Sequence, residues 1–277
     1  MRTVGIVGCG TIGTALARAL EQEYATQARL VALCDRSAAQ AHILQTRLRS
    51  HPPIVSLPQL IRRAQLVIEA ASVSVSSLVA QLALTANRDV LIMSAGGLLQ
   101  RPALWQTAAG RSRGHLYLPS GALCGLDGVK AMALGSIRRI SLTTRKPPRA
   151  LAGAPGLARR KIQLERLRRA TVVFAGSPLE AIRAFPQNTN VAATLTLSAL
   201  VYRSSRSGRR PKITVRVIAD PRARRNSHEV EVEAEAGRLI ARLESRPSTE
   251  NPKTSEMAIR SALVTLKQLF APVRIGT

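Results

Sequence analysis

Three closely spaced glycines near the amino terminus and one histidine in the second half are the residues best placed to do chemistry. Gly8-Cys9-Gly10-Thr11-Ile12-Gly13 follows the apolar run Thr3–Val7 and opens a helical pattern of Ile12, Ala15, Leu16, Ala19 and Leu20. In that setting G-x-G-x-x-G reads as a dinucleotide-binding turn. Gly8 permits the tight turn, Gly10 lets a pyrophosphate approach the backbone, and Gly13 lets the helix pack against the strand. The free N–H groups at the helix start, around Thr11 and Ile12, then hold phosphate oxygens. Asp35 ends the next apolar run, about 20 residues beyond the last glycine. A carboxylate there accepts hydrogen bonds from the adenosine ribose and favours NAD. Arg36 beside it suits a 2′-phosphate instead, so the expected cofactor is NAD or NADP. Asp35 also fits as the N-cap of the following helix. Ala70-Ala71-Ser72 and Ser94-Ala95-Gly96-Gly97 close two further apolar runs, where small residues leave room for a nicotinamide ribose or form ordinary loops.

The four histidines, His42, His51, His115 and His228, show no ligand-like pairing, and no Cys-x-x-Cys occurs, so no metal site is expected. His228 differs by its strand phase. Over His-Glu-Val-Glu-Val-Glu-Ala-Glu-Ala, period two puts His228, Val230, Val232, Ala234 and Ala236 on one face and four glutamates on the other. On phase alone the imidazole reads as a core histidine satisfied by a backbone group, with a catalytic role as the alternative. The glutamate row reads as a solvated ladder with Arg216 and Arg238 as cross-strand partners. Phe185-Pro-Gln-Asn-Thr-Asn190 precedes a helix over 191–200, and Asn251-Pro-Lys-Thr-Ser255 precedes the last helix. Each offers polar side chains and free N–H groups to an anion such as a substrate carboxylate, or simple N-caps at Asn190 and at Thr254 or Ser255.

These residues need a frame. Strands at 3–8, 30–34, 65–71, 89–93 and 116–118 alternate with helices near 57–63, 74–86 and 102–109. That alternation predicts an α/β domain built on a doubly wound parallel sheet, a Rossmann architecture. Beyond residue 125 a strand at 137–144, a Pro/Gly/Arg-rich surface excursion at 146–170 and consecutive long strands at 212–219, 226–236 and 238–246 predict an α+β domain with a mostly antiparallel sheet. The last two strands meet in a turn at Ala236-Gly237. The expected division is residues 1–124, with a carboxy-terminal helix within 252–277 packing back on them, and residues 125–251 as a catalytic and dimerisation domain. That helix carries Ala258, Ile259, Ala262, Leu263, Leu266 and Phe270 on one face.

Composition trims the alternatives. The 277 residues are 45% hydrophobic and 21% charged, which excludes wholesale disorder. Three scattered cysteines do not make a disulfide framework and fit a cytoplasmic location. No apolar run reaches the ~18–20 residues of a membrane span, and the segment after Met1 reads as folded domain rather than signal peptide. The net charge of +25 suggests nucleic acid, but the arginines are scattered and aromatics are only 3%, so stacking platforms are absent and no nucleic-acid partner is expected.

Several segments together resemble the L-aspartate dehydrogenase family. They are the glycine turn, Leu118-Pro-Ser-Gly-Ala-Leu-Cys-Gly-Leu-Asp-Gly128, Thr143-Thr-Arg-Lys-Pro-Pro148, Phe185 through Thr194, Ala219-Asp-Pro221 with Arg225-Asn-Ser-His-Glu229, and Asn251 through Ser255. The resemblance runs end to end. It implies a Rossmann domain plus an α+β catalytic domain, a homodimer, and NAD- or NADP-dependent oxidation of L-aspartate to iminoaspartate, which becomes oxaloacetate and ammonia or feeds NAD biosynthesis. It also implies that His228 is the catalytic histidine and that Ala122 and Asn190 contact the cofactor, in addition to Ala70 and Ala71, which the strand-end reading already offers. Ser120, Asn226, Lys253 and Thr254 are then the candidate substrate-binding residues. The basic stretches 151–170 and 202–210 depart from the family pattern without touching its motifs. The rival readings are a related oxidoreductase acting on another small amino acid, and a nucleotide-binding or nucleic-acid-associated protein that keeps the fold without catalysis.

Overall fold

A computed structural model describes residues 1–159, 162–186, 190–204, 210–248, 251 and 254–276. The chain forms two compact units, Met1–Pro119 with Ile259–Arg274, and Ser120–Ala258 with Ile275–Thr277.

The first unit contains β1 (Arg2–Val7), α1 (Thr11–Gln22), β2 (Ala28–Cys34), α2 (Ala38–Thr46), α3 (Leu57–Arg63), β3 (Leu66–Glu69), α4 (Val73–Thr85), β4 (Asp89–Ile92), α5 (Ala95–Gln100), α6 (Pro102–Ala109) and β5 (Leu116–Tyr117). Its five strands are all parallel in the order β2-β1-β3-β4-β5. The chain therefore runs outward from β1 in both directions, and the switch point lies between β1 and β3. Val4, Ile6, Leu66, Ile68 and Leu91 are buried in the core, the pattern of strands covered on both faces. The segment after β4, read from the sequence as room for a nicotinamide ribose or an ordinary loop, is helical over Ala95–Gln100, with Ser76 and Ser77 Oγ of α4 donating to Ser94 O (2.7 Å) and Gly97 O (2.5 Å).

The second unit contains α7 (Leu126–Ala133), β6 (Ile137–Lys146), α8 (Pro155–Arg159), β7 (Thr171–Gly176), α9 (Pro178–Ala184), α10 (Asn190–Val201), β8 (Lys212–Ala219), β9 (Asn226–Ala234) and β10 (Gly237–Ser245). Its sheet has the order β10-β9-β6-β8-β7. Here the prediction needs correcting. The β8 strand does not pair with β9, because β6 lies between them, antiparallel to β9 and parallel to β8. Sequence patterning also missed β7, α7 and α9. The turn joining β9 to β10 falls at 235–236, one residue early, with Gly237 taking φ +132°. Helix α10 is buried from Val191 to Leu197, which is why its sequence lacks a polar face. Helix α11 (Glu256–Phe270) buries Ala262 and Leu266 in the first unit's core, where Phe270 packs at 5.3 Å from Tyr24.

Candidate active site

The glycine turn closes β1 at the switch point, and each glycine has a separate physical reason. Gly8 sits at φ +99°, and a Cβ there would lie 2.5 Å from the Ala70 carbonyl carbon. The loop leaving β3 therefore passes too close for any side chain. A Cβ on Gly13 would fall 1.9 Å from Gly8 O, so the helix can only pack on the turn without one. A Cβ on Gly10 would meet nothing within 4 Å. Packing does not demand glycine there, and the open space beside the backbone is what a pyrophosphate needs. Gly10 N-caps α1 with no side-chain hydrogen bond, leaving the helix start to an anion.

Asp35 holds this turn from β2. Its carboxylate accepts from Cys9 N and Ser37 N, both at 2.7 Å. This corrects the N-cap alternative: Ser37 caps α2 by accepting from Gln40 N, and Asp35 ties the end of β2 to the glycine turn. Arg36 is exposed beside it. Burial, with the Asp35 carboxylate second and Cys34 third, pushes the Cys9 thiol up to about 12, so this cysteine is inert.

One residue of this region was not anticipated. Glu69, the last residue of β3, is 0% exposed, and its carboxylate accepts from Ala71 N (2.9 Å), Ser72 N (3.0 Å) and Ser94 N (3.0 Å). Burial raises its pKa, against the opposing pull of these hydrogen bonds. One side chain thus fixes the turns leaving β3 and β4, where half-buried Ala70 and exposed Ala71 lie. The available signal was a lone carboxylate ending the run Leu-Val-Ile-Glu.

In the second unit the chemistry sits at one end of the buried sheet face. Register places Ile140 opposite Val232, Leu142 opposite Val230 and Thr144 opposite His228. The face is apolar until its end, where Thr144 pairs with His228, Asn226 pairs with Ser245, and buried Lys146 closes β6. His228 is 3% exposed, and its Nδ1 lies 3.0 Å from Thr144 Oγ1. The core reading expected a backbone partner; a threonine hydroxyl takes that place. Burial, helped by the Lys146 ammonium, drives the imidazole pKa down to about 3, so the ring is neutral over the physiological range. Burial likewise lowers Lys146 to about 8. Among the described residues, Asn226 Oδ1 is buried without a hydrogen-bond partner. Ser245 Oγ lies 2.8 Å from Ser255 Oγ, which brings the segment before α11 to this end of the sheet.

Lys146 is the second residue that patterning missed. Composition put it at the start of a surface loop, but it is the last residue of β6 and only 5% exposed. The glutamate row on the opposite face behaves as expected, and of its two expected partners Arg238 pairs with it while Arg216 does not. Arg139 pairs with Glu233, Arg238 with Glu231 and Arg242 with Glu229, while Arg216 of β8 is separated from β9 by β6. The remaining candidates are dispersed through this unit. Ser120 is half-buried and accepts from Leu123 N through its carbonyl, and Ala122 is buried in the apolar core. Asn190 is the first residue of α10. Thr254 is half-buried, and Ser255, not Thr254, accepts from Met257 N at the start of α11. Lys253, like residues 187–189, lies outside the described residues.

Comparison with known proteins places this arrangement. Residues 127–269 match the family described as aspartate dehydrogenase, C-terminal, and residues 8–119 match the NAD-binding domain of homoserine dehydrogenase. The chain is 41% identical over 281 residues to an L-aspartate dehydrogenase of Methanosarcina barkeri, covering all of both chains. It is 36% identical to L-aspartate dehydrogenase 3 of Bordetella bronchiseptica, covering 99% of this chain and 97% of the relative. The crystal structure of an aspartate dehydrogenase from Thermotoga maritima shares the fold over the full length of both chains, with a TM-score of 0.75 at 23% identity. The chain belongs to the L-aspartate dehydrogenase family.

Proposed function

We propose that the protein oxidises L-aspartate with a pyridine nucleotide to iminoaspartate, which water converts to oxaloacetate and ammonia. Full-length kinship with L-aspartate dehydrogenases carries this reading, and the uncapped α1 with open space at Gly10 suits the nucleotide. The nucleotide, when bound, accepts the hydride that leaves the substrate Cα. His228 takes the proton released from the amine as the C=N bond forms, because its buried neutral ring offers an acceptor nitrogen. In the tautomer that carries its hydrogen on Nδ1, the ring donates to Thr144 Oγ1 and Nε2 is the acceptor for that proton. Asp35 favours NAD over NADP, since a 2′-phosphate would meet its carboxylate, and Arg36 tempers that preference. The homodimer implied by the resemblance is part of the same proposal and is checked by light scattering.

The test offers L-aspartate, D-aspartate, glutamate and alanine with NAD and with NADP, and follows reduced nicotinamide. Reduction with L-aspartate above the other three, faster with NAD, is expected. Reduction by another amino acid alone, or by none while the nucleotide still binds, would remove the reading.

A further inference from the structure

We infer that Glu69 is a positioning residue for the nicotinamide half of the nucleotide: from inside the first unit its carboxylate sets the β3 and β4 exit turns that hold that half. The inference rests on the nucleotide-dependent reading above and deepens it by assigning the two halves of the cofactor to two different carboxylates.

Strand order separates the halves. The sheet runs β2-β1-β3-β4-β5, so a dinucleotide lying across the carboxyl ends at the switch point extends to both sides of the glycine turn. Asp35, just past the end of β2, marks the adenosine side. The nicotinamide side is then that of β3 and β4, whose exits are Ala70-Ala71-Ser72 and Met93-Ser94. Strand pairing ends at Glu69 opposite Ile92, with Met93 N donating to Glu69 O at 2.9 Å, so beyond that row the exits need another tie.

Glu69 supplies it. Its Oε1 accepts from Ala71 N and Ser72 N, and its Oε2 accepts from Ser94 N. The tie reaches the glycine turn as well. The Ala70–Ala71 peptide that Glu69 holds is the one a Cβ on Gly8 would strike, 2.5 Å from Ala70 C and 2.6 Å from Ala71 N. Ala70 N also donates to Val7 O at 2.8 Å. Ser76 and Ser77 secure the β4 exit against α4, and Glu69 joins that exit to β3.

Burial decides how Glu69 acts. Asp35 is half-buried and partly open to a ribose, whereas Glu69 is fully buried and acts on a nucleotide only through the turns. An apolar residue would complete the run Leu66-Val67-Ile68 without the cost of a buried carboxylate. Packing therefore does not account for Glu69, and the placing of two turns at the crevice does.

The experiment measures thermal melting and the affinity of the full chain for NADH and for ADP, which carries only the adenosine and two phosphates, in the wild type and in Glu69→Gln. Glutamine keeps the shape but has one acceptor oxygen. Facing that oxygen to Ala71 and Ser72 satisfies two donors, and it leaves the side-chain N–H groups against Ser94 N–H, donor to donor. The β3 exit and Gly8 then stay in place while the β4 exit is released. NADH affinity is expected to fall ~10-fold or more, the scale of one buried donor left unpaired, with ADP affinity within about threefold of the wild type. If Glu69→Gln does not fold, Glu69→Asp takes its place. An aspartate still bonds its own backbone two residues on but is a methylene short of Ser94, so the same split is expected. NADH affinity within about threefold of the wild type, in a folded variant, would overturn the positioning role while leaving the nucleotide reading intact. Equal losses for NADH and ADP, or failure of both variants to fold, would make Glu69 a general brace of the unit and overturn it too. A wild type that binds neither ligand would overturn the nucleotide reading itself.

Discussion

The glycine turn of the first unit and the polar end of the second sheet are built in opposite ways. The turn works through backbone: absent side chains at Gly8 and Gly13, open space at Gly10, and N–H groups aimed along α1. Its side chains, Asp35 and Glu69, mainly brace the backbone by accepting from five N–H groups between them. The sheet end works through side chains that regular backbone carries into place by register, with Thr144 and His228 meeting although 84 residues apart. A backbone site tolerates few substitutions because its geometry is its chemistry. A side-chain site keeps its fold when a residue is exchanged and loses only the chemistry.

Substitutions separate these two kinds of site. The largest effect is expected from Gly8→Val. It combines a left-handed φ with a clash against the β3 exit loop, and should cost about 3 kcal/mol or more of stability in urea unfolding. Next, His228→Ala should lower turnover by ~10²-fold or more while NADH binding and melting change little. A joint loss of folding and activity in that variant would erase the contrast between the regions.

Titration sharpens the comparison further. The folded pKa of His228 lies below its unfolded value, so its neutral form supports stability above about 6.5, and that support is lost as pH falls toward about 3. Urea unfolding of His228→Asn should therefore decline less steeply than the wild type between those two values. An identical decline would place the imidazole in a less buried setting. The smallest structural effect is expected at Gly10→Ala. Its Cβ has open space, so stability should stay within ~0.5 kcal/mol. NADH affinity, which depends on close approach of the pyrophosphate, should drop ~10-fold. If stability fell instead, Gly10 would belong with Gly8 and Gly13.

Local pattern alone determined the first unit and its turn. The glycine spacing, the preceding apolar run and Asp35 are contiguous or nearly so, and period-two alternation placed His228 on a buried face. Family resemblance rather than phase raised that histidine from core residue to candidate base. Tertiary structure decided the rest. Inserting β6 between β8 and β9 moved the arginine partners of the glutamate row, and carrying β6 two residues past its predicted end turned Lys146 from loop to buried cation. Glu69 became visible only once β3 and β4 lay side by side. The physical reason is one of range. Turn chemistry and strand phase are properties of neighbouring residues, whereas strand order, and with it which polar side chains share a dry row, depends on pairings between distant segments that sequence spacing does not encode.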